Sequence, residues 1–520
     1  MKSIKLLCAA TIAGLLSTPC YSAANDSSGV YAIWANERNY DLDFVKGGQV
    51  VVHWKTLQTG PNAFDFTVLD DKLKSMKDHG VKTTIQIMGN NKPDFLFNKV
   101  PYYPDALSHQ VKDAKGTLMY WHPYHLDQFK KLLQATADHV ANSKFKSIIT
   151  GIRMNYNRVG TEHGLNENET PALNKWIVPN GVSFVPTMTS TEFKTYKSQV
   201  EKVYFEEFAP LMTVLVREHK KYSSRVVNGL QAGKAGIYQT GSEMEPRFKA
   251  DEESRYGPFL KYCRTGIAKY CYSEPWAASD GSRGGGVDQR WSTYAQHNYW
   301  RALIDLHTGV SAVAMYGEDL DRHGKTEYMK TFNFVNKYAG FHNLPKQSPG
   351  AWIAFREGEF LQGDYTFLMS RSSGDANFVG LDLRDDGKWA LGDQNSRYAA
   401  WARKLSAGST ATVAANQEFV TSMSGQTKKV SVTYLDRGNG KMTVTAFGKS
   451  FTQNVGNSSD WKTATFTVTG GNNSNSVSVK AVGSDLTLHM VEINRQGGAT
   501  ATETELAPPS PPAAIQVDAS

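Results

Sequence analysis

The sequence predicts a (β/α)8 barrel followed by a C-terminal antiparallel β-sandwich, within a 520-residue chain of ordinary globular composition. Two patterns predict this division. Residues 29–344 alternate short apolar runs with long amphipathic segments, which is typical of a parallel sheet with crossover helices. After Pro345 helical periodicity becomes scarce, and short alternating runs are separated by Gly, Asn and Ser turns. We expect the barrel to comprise residues 25–345 and the sandwich residues 346–496.

The N-terminus has the pattern of a signal peptide, which we assign to residues 1–24. Lys2 and Lys5 precede an apolar core from Leu6 to Leu16, and Ser22-Ala23-Ala24 is a small-residue cleavage site. The apolar run is too short to span a bilayer, which takes about 20 residues. We therefore predict a secreted or periplasmic protein without a membrane partner after cleavage.

Seven apolar runs are candidate barrel strands, and we expect the eighth either to lie near Gly233–Tyr238 or to be irregular. The seven are Val30–Trp34, Val50–Trp54, Thr83–Met88, Ile148–Met154, Val226–Leu230, Lys269–Tyr272 and Val310–Tyr316. Between them, segments with apolar residues at helical spacing are the candidate helices. These are Phe66–His79, Leu126–Ala141, Thr191–His219 and Trp291–His307. About eight such units close a barrel.

Six alternating runs are candidate sandwich strands. They are Thr366–Met369, Val430–Tyr434, Met442–Phe447, Thr463–Val468, Ser476–Val482 and Thr487–Ile493. Residues 497–520 are rich in Ala, Thr, Glu and Pro, a composition that cannot bury a core. We expect this tail to be disordered.

The charge balance narrows the range of partners. The formal net charge is +7, and loss of Lys2 and Lys5 with the signal peptide leaves +5. This mild excess fits attraction to a polyanion and equally fits charge for solubility alone. The chain lacks the concentrated Lys/Arg block of nucleic-acid-binding arms, so we expect no nucleic-acid partner.

Two cysteines remain after the signal peptide is removed, Cys263 and Cys271. In an exported protein an isolated pair predicts a disulfide, and two buried free thiols are the alternative. Neither cysteine lies in a zinc-type pattern, and we predict no metal or cofactor.

Three glutamates follow predicted strands: Glu162, Glu274 and Glu318. The carboxyl ends of barrel strands meet at one mouth, where the active sites of such barrels lie. Two carboxyl groups there suit glycoside hydrolysis, because one protonates the leaving oxygen while the other attacks the anomeric carbon or activates water. For each residue alone, helix capping or a surface salt bridge is the alternative.

Aromatic residues flank the same strand ends, and the apolar faces of sugar rings stack on such side chains. The candidates for substrate binding are Trp54, Trp121, Trp276 and Tyr316. Packing at the barrel rim is the alternative for each. His122 is a candidate for sugar contact or for packing, because the neighbouring Pro123 and the lack of a nearby carboxylate disfavour a metal site.

A Gly-rich loop, Ser279–Gly286, is a candidate lid in which Arg283 would reach a sulfate or carboxylate of the substrate. A plain flexible connection is the alternative. If the substrate is anionic, Arg158, Lys234 and Arg290 are further candidates to line the cleft.

Several stretches in residues 30–340 resemble the retaining clan-A glycoside hydrolases, in the same order along the chain. In that clan a second strand ends in Trp, an "FDFxxLD"-like stretch opens the next helix, and a Gly-Val-Lys-like turn leads to the third strand. The matching stretches here are Val50–Trp54, Phe64–Asp70 and His79–Lys82. The stretches Tyr272–Trp276, Gln289–Trp291 and Leu303–Val310 are similar to the β-galactosidase branch of the clan.

The resemblance implies a (β/α)8 barrel, retention of anomeric configuration, Glu274 as nucleophile and Glu162 as general acid/base. The family places Asn immediately before the acid/base, where it binds the sugar 2-hydroxyl. Thr161 holds that place here, and Asn155 or Asn157 is a candidate to substitute for it.

We therefore expect a retaining hydrolase of a polysaccharide, and specifically of a red-algal galactan such as agar, porphyran or carrageenan. Glu318 is the reserve partner for Glu274. The alternatives are hydrolysis of another anionic glycan such as a fucan, a polysaccharide lyase, and a non-catalytic glycan-binding protein. The last alternative stays open because Thr161 replaces the Asn that the family places before its acid/base. The stretches Tyr434–Gly438 and Trp461–Thr463 resemble accessory jelly-roll domains, which we expect to brace the barrel.

Overall fold

The computed structural model describes most of the chain between residues 27 and 496. The described ranges are 27–104, 116–156, 176–182, 189–217, 222–240, 257–274, 294–355, 363–372, 378–380, 384–385, 388–389 and 402–496. The predicted signal peptide, residues 1–24, and the predicted tail, residues 497–520, lie outside them.

Eight parallel strands close into a barrel, which confirms the predicted fold. They are β1 (Gly29–Ile33), β2 (Val45–His53), β3 (Lys82–Met88), β4 (Ile149–Arg153), β5 (Thr213–Val216), β6 (Ala235–Thr240), β7 (Tyr272–Glu274) and β8 (Ala312–Tyr316). Each strand pairs with its neighbours in chain order, and β1 pairs with β8 to complete the circle. All eight carboxyl ends therefore lie at one mouth of the barrel.

The longer barrel helices are α1 (Thr67–Asp78), α2 (Pro123–Ala141), α3 (Ser190–Val203), α4 (Ser224–Gln231), α5 (Tyr294–His307) and α6 (Thr326–Tyr338). Short helical turns span Glu37–Asp41, Trp54–Leu57, Asp94–Asn98, Lys146–Ile148, Tyr204–Phe208, Phe259–Cys263 and Gly317–Leu320. Two small hairpins pair Gln58–Gly60 with Ala63–Phe64, and Tyr102–Tyr103 with Thr117–Leu118. Within the described ranges, no helix is both long and apolar enough to cross a bilayer.

The fifth strand differs from the sequence expectation. The run Val226–Leu230 was expected to be a strand but lies in α4, because the Ser223 hydroxyl caps the helix and the apolar residues share one face. The expected helix Thr191–His219 ends early because Pro210 cannot continue it, and β5 follows. The expected strand near 233–238 is confirmed as β6.

Aromatic side chains fill much of the barrel interior. The cluster comprises Tyr31, Ile33, Leu215, Tyr238, Tyr270, Tyr272, Ala312, Ala314 and Tyr316. A second apolar layer lies between the strands and the helices, where α1 contributes Leu69, Leu73 and Met76 at helical spacing. Because phenol rings carry a hydroxyl at their tip, the barrel interior can hold polar groups that an aliphatic core could not.

The C-terminal part is an antiparallel two-sheet structure, as predicted. Its strands are β9 (Gly350–Ala354), β10 (Tyr365–Phe367), β11 (Met369–Arg371), β12 (Phe378–Gly380), β13 (Arg403–Leu405), β14 (Thr410–Ala415), β15 (Lys428–Leu435), β16 (Lys441–Ala446), β17 (Lys449–Asn454), β18 (Trp461–Val468), β19 (Ser476–Val482) and β20 (Leu486–Arg495). One sheet has the order β10–β9–β20–β13–β12, with β15 pairing both β20 and β18. The other has the order β11–β14–β19–β16–β17. A short helix, α7 (Gln417–Ser422), follows β14, and Arg384–Asp385 pairs with Lys388–Trp389 in a separate hairpin.

The sandwich packs directly on the barrel through α6. The buried Trp352 of β9 lies against the ring of Tyr338, with centroids 6.2 Å apart. The Glu492 carboxylate of β20 accepts a 2.9 Å bond from Lys337 Nζ and a bond from the Tyr338 hydroxyl. A buried ion pair and shared aromatic packing therefore join the two parts, consistent with bracing.

Cys263 and Cys271 form a disulfide, with Cα atoms 6.2 Å apart. The bond joins the end of the turn Phe259–Cys263 to the residue directly before β7. It therefore lies at the amino end of the strand whose carboxyl end carries Glu274.

Candidate active site

Glu274 is the last residue of β7, and three side chains of the described residues donate hydrogen bonds to its carboxylate. Oε2 accepts from Arg153 Nη1 at 2.6 Å and from the Tyr238 hydroxyl at 2.7 Å. Oε1 accepts from Trp34 Nε1 at 3.2 Å. The donors come from β4, from β6 and from the residue after β1, so the site depends on closure of the whole barrel.

Arg153 ends β4 and is fully buried. Besides Glu274, its guanidinium donates to Gln86 Oε1 at 2.9 Å and to the Tyr272 hydroxyl at 2.7 Å. It also lies over the rings of Tyr238 and Tyr272, 5.0 and 4.5 Å from their centroids. The planar, delocalised charge of arginine suits this place between two phenol rings.

The ion pair between Arg153 and Glu274 has side-chain exposures of 0% and 4%. A buried carboxylate is costly unless it is paired and hydrogen-bonded, and here both conditions are met. Because the pair joins the ends of β4 and β7 across the mouth, the chain leaving β4 begins beside Glu274.

Buried contacts hold the first residues after β4. The backbone N–H of Asn155 donates to the Tyr204 hydroxyl at 3.2 Å, and the Tyr156 hydroxyl donates to Glu201 Oε1 at 2.9 Å. Asn155 is almost fully buried. The sequence predicted Asn155 as a sugar contact, and the structure places it near the mouth, two residues beyond Arg153.

A second buried carboxyl lies behind β7. Asp305 of α5 accepts a 3.0 Å bond from the hydroxyl of Ser273, the residue before Glu274. Burial raises the pKa of Asp305 to about 7, although Arg301 and the bond from Ser273 act in the opposite direction. The strand that carries Glu274 is therefore bonded to a carboxyl group that titrates near neutral pH.

Two of the predicted stacking residues belong to the core. Trp54 is fully buried, donates to Gln58 Oε1 at 2.7 Å and packs against Phe129. Its ring packs against α2, so for Trp54 the structure favours the packing alternative. Trp121 is also buried and meets Trp176 edge to face, with centroids 5.7 Å apart. For Trp121 the structure favours the packing alternative.

Three other predicted residues lie on the rim with different surroundings. His122 is buried and caps α2, where its Nδ1 accepts from the backbone of Tyr124 at 3.3 Å. Tyr316 ends β8 and belongs to the aromatic cluster inside the barrel. Glu318 follows it in the turn Gly317–Leu320 and is exposed.

Several predicted residues lie outside the described ranges. These are Glu162, Asn157, Trp276, Arg283, Arg158 and Arg290. Lys234 is described, but it lies exposed just before β6, at the amino end of the barrel. The prediction that Lys234 lines the cleft is therefore wrong. The cleft is expected at the carboxyl ends of the strands, and Lys234 lies at the opposite end of the barrel.

The sequence did not point to Arg153, Trp34 or Tyr238 as donors to Glu274. Arg153 stood inside an expected strand, where an inward-facing charge requires a partner, and this signal was available. Trp34 ended the first expected strand, in the same position that marked the other aromatic candidates. Tyr238 lay in the expected eighth strand and had no distinguishing signal.

In the part of the chain that the structure describes, no group of three His, Cys, Asp or Glu side chains is arranged to hold a metal ion. The chemistry available among these residues is that of carboxylates, phenols, an indole and a guanidinium.

Comparisons with known proteins show similarity only to solved structures, since no family model and no curated protein matches the chain. The β-amylase catalytic domain from Paenibacillus polymyxa is 12% identical over 56% of this chain and 93% of its own, with a TM-score of 0.33. A glucosidase from Croceicoccus marinus is 9% identical over 91% and 96% of the two chains, with a TM-score of 0.36. The Arthrobacter globiformis T6 isomalto-dextranase, solved with panose, is 9% identical over 93% and 99%, with a TM-score of 0.32. Similarities this weak do not assign an activity.

Proposed function

We propose that the protein is an exported retaining glycoside hydrolase that cleaves a polysaccharide, with Glu274 as nucleophile and Glu162 as general acid/base. The observation that carries the proposal is the Glu274 carboxylate at the carboxyl end of β7, held by donors from three other parts of the barrel. Such a position is where the catalytic groups of these barrels lie.

The hydrogen bonds distinguish the two carboxylate oxygens. Oε2 is anchored by Arg153 and Tyr238, both from barrel strands, whereas among the described residues Oε1 accepts from Trp34. An oxygen with two strong donors has less electron density to offer an electrophile than one with a single longer bond. We therefore assign Oε1 as the attacking atom and Oε2 as the anchor.

The proposed reaction has two displacements. Oε1 of Glu274 bonds to the anomeric carbon as the glycosidic C–O bond breaks, and the leaving oxygen takes the proton of Glu162. Glu162 then accepts a proton from water, whose oxygen bonds to the anomeric carbon as the ester bond to Glu274 breaks. Both residues return to their starting states, and two inversions give retention.

For the substrate we propose a galactan, with agar, porphyran and carrageenan as the candidates. Support comes from the resemblance of Tyr272–Trp276 and the following stretches to the β-galactosidase branch, and from the net charge of +5 after signal cleavage. A fucan is the alternative anionic glycan. Incubation with a panel of algal and plant polysaccharides, with reducing ends and product sizes measured, tests the class. An unsaturated, ultraviolet-absorbing product would instead indicate a lyase.

A second candidate is a non-catalytic glycan-binding protein, which the burial of Glu274 in a complete ion pair favours. In that case the pair with Arg153 only stabilises the barrel. Binding to a polysaccharide of the panel without release of reducing ends would support this candidate.

Azide rescue tests the roles of the two glutamates. Glu274→Gly should lose nearly all turnover and recover part of it with azide, giving a glycosyl azide of inverted configuration. Glu162→Gly should recover with retention, because azide attacks the intermediate. Glu318→Gly is the matched control, since Glu318 is an exposed glutamate on the same rim, and it should keep its activity. If Glu318→Gly is the inactive variant and Glu162→Gly is not, Glu318 is the acid/base.

A further inference from the structure

Trp34 is held in an unusual conformation at the mouth of the barrel. It directly follows β1, has a φ of +46°, and is 48% exposed. The left-handed region is unfavourable for a bulky side chain, and leaving an indole in water forgoes the free energy of its burial. Among the described residues it is the most exposed of the large apolar side chains.

Other left-handed residues show what normally compensates for this backbone. Phe447 has a φ of +53° and is almost fully buried, and Leu368 has a φ of +51° and packs against the sandwich core. Their packing offsets the backbone cost. Trp34 shares their conformation without comparable burial, so packing alone does not account for it.

The surroundings of Trp34 enforce its position. Asn39 in the following turn donates through Nδ2 to Asp321 Oδ1 at 2.8 Å, and Arg38 donates to the same carboxylate at 2.7 Å. Gly317 lies so close that a Cβ there would be 3.1 Å from Ala35 Cα and 3.3 Å from Trp34 O. The segments after β1 and β8 are thus locked together, and a conformation maintained in this way indicates a function.

The indole also has a defined orientation relative to Glu274. Its Nε1 lies 3.2 Å from Oε1, the oxygen assigned to attack, while nearly half of the side chain stays open to solvent. A sugar whose anomeric carbon approaches Oε1 therefore comes within contact distance of the exposed ring. Apolar sugar faces and indole rings associate in this way.

We infer that Trp34 both positions the nucleophile through its N–H and forms the stacking surface for the sugar ring that reacts. The inference rests on the proposed hydrolase function and adds to it the residue that binds the reacting sugar. On this inference, the left-handed backbone at Trp34 is strained because only this conformation directs the indole at both the carboxylate and the sugar.

Two substitutions separate the roles of Trp34. Trp34→Phe keeps an aromatic ring and removes the N–H, so kcat should fall about tenfold with little change in KM. Trp34→Gly removes both roles, so KM should rise by about 10- to 100-fold in addition. Agarose, porphyran and carrageenan are the probes, with the release of reducing ends as the readout.

Thermal unfolding distinguishes a functional from a structural Trp34. Glycine adopts the left-handed region without strain, so Trp34→Gly should unfold at the wild-type temperature or above it. Phe447→Gly is the matched control, because the same change at a buried ring should lower the midpoint by about 5 °C or more. A Trp34→Gly midpoint that falls as far as the control would overturn the inference, as would wild-type kinetics in this variant.

The outcomes also separate this inference from the proposed function. If the wild-type protein binds one of the three galactans without cleaving it, hydrolysis is refuted, and loss of binding in Trp34→Gly still supports the stacking surface. If the wild-type protein cleaves and Trp34→Gly cleaves equally well, hydrolysis stands and the inference is refuted. If the wild-type protein neither binds nor cleaves any of the three, the galactan substrate and the inference built on it are both refuted.

Discussion

Replacement of Arg153 by Met should strongly destabilise the barrel. Arg153 is fully buried, and its Nη1 lies 2.6 Å from Glu274 Oε2. Methionine has a similar length and no charge, so the substitution leaves the Glu274 carboxylate buried without its ion-pair partner. Gln86 and the Tyr272 hydroxyl lose a donor at the same time.

The magnitude follows from the burial of both groups. Breaking a buried pair by removing one partner costs about 3–5 kcal/mol, since the remaining charge is uncompensated. The hydrogen bonds lost at Gln86 and Tyr272 add about 1 kcal/mol each, and the remaining donors to Glu274 offset part of the cost. We expect Arg153→Met to lower the free energy of unfolding by about 3–5 kcal/mol at pH 7.

Urea unfolding followed by tryptophan fluorescence measures the effect, with Arg38→Met as the matched control. Arg38 also pairs with a carboxylate, Asp321, at 2.7 Å, but the two side chains are 70% and 36% exposed. Loss of such an exposed pair costs about 0–1 kcal/mol. The double variant Arg153→Met/Glu274→Gln should recover much of the stability, because no buried charge remains. An Arg153→Met variant that is no less stable than Arg38→Met would refute the reasoning.

Three further predictions concern stability. Burial raises the pKa of Asp305 to about 7 in the folded protein, whereas the pKa in the unfolded chain is about 4. Below about pH 4 the carboxyl group is protonated in both the folded and the unfolded protein, and above about pH 7 it is ionised in both. Between these values the folded state holds the extra proton, and the free energy of unfolding should fall by about 4 kcal/mol as pH rises from about 4 to about 7. Asp305→Asn should flatten this slope in thermal midpoints measured across the range, and parallel curves would contradict the prediction. Replacing both Cys263 and Cys271 by serine should lower the free energy of unfolding by about 2.5 kcal/mol, because the disulfide closes a short loop. The wild-type protein with its disulfide reduced should have the same free energy of unfolding as this double variant. Glu492→Ala leaves Lys337 without its carboxylate at the barrel–sandwich contact and should cost about 3–5 kcal/mol in urea unfolding; a cost below about 1 kcal/mol would show that the pair adds little.

The fold was predictable wherever one periodicity dominated a segment. The strand Ala312–Tyr316 is a buried apolar run, and the helix Thr67–Asp78 repeats its apolar residues every three or four positions. The segment from Ser190 to Gln231 was not predictable in this way. Its fifth strand, Thr213–Val216, is only four residues long, and the helix Ser224–Gln231 contains a short apolar run that also fits a strand. Length and capping decide such cases, and neither signal is strong in fragments this short.

The site was predictable to the extent that it lies on one strand. Glu274 could be located because a carboxylate directly after an apolar run faces the barrel mouth. Its pairing with Arg153 could not be deduced, since 121 residues separate them and only barrel closure joins them. The burial of individual side chains could not be predicted from the sequence either. Trp34 and Trp54 both directly follow strands, but Trp34 is exposed and Trp54 is buried against α2.

The two oxygens of Glu274 connect the stability and the chemistry of the protein. Oε2 is bonded to Arg153 and Tyr238, which belong to barrel strands, whereas Oε1 is bonded to Trp34 in the segment after β1. Changes at Arg153 should therefore affect folding and turnover together, because the anchor is part of the barrel core. Changes at Trp34 should affect turnover and substrate binding but not stability, because the exposed ring contributes little to the core. A carboxylate with one oxygen anchored by two barrel strands and the other bonded to an exposed indole can remain buried and paired, as the fold requires, and still present an atom to a sugar.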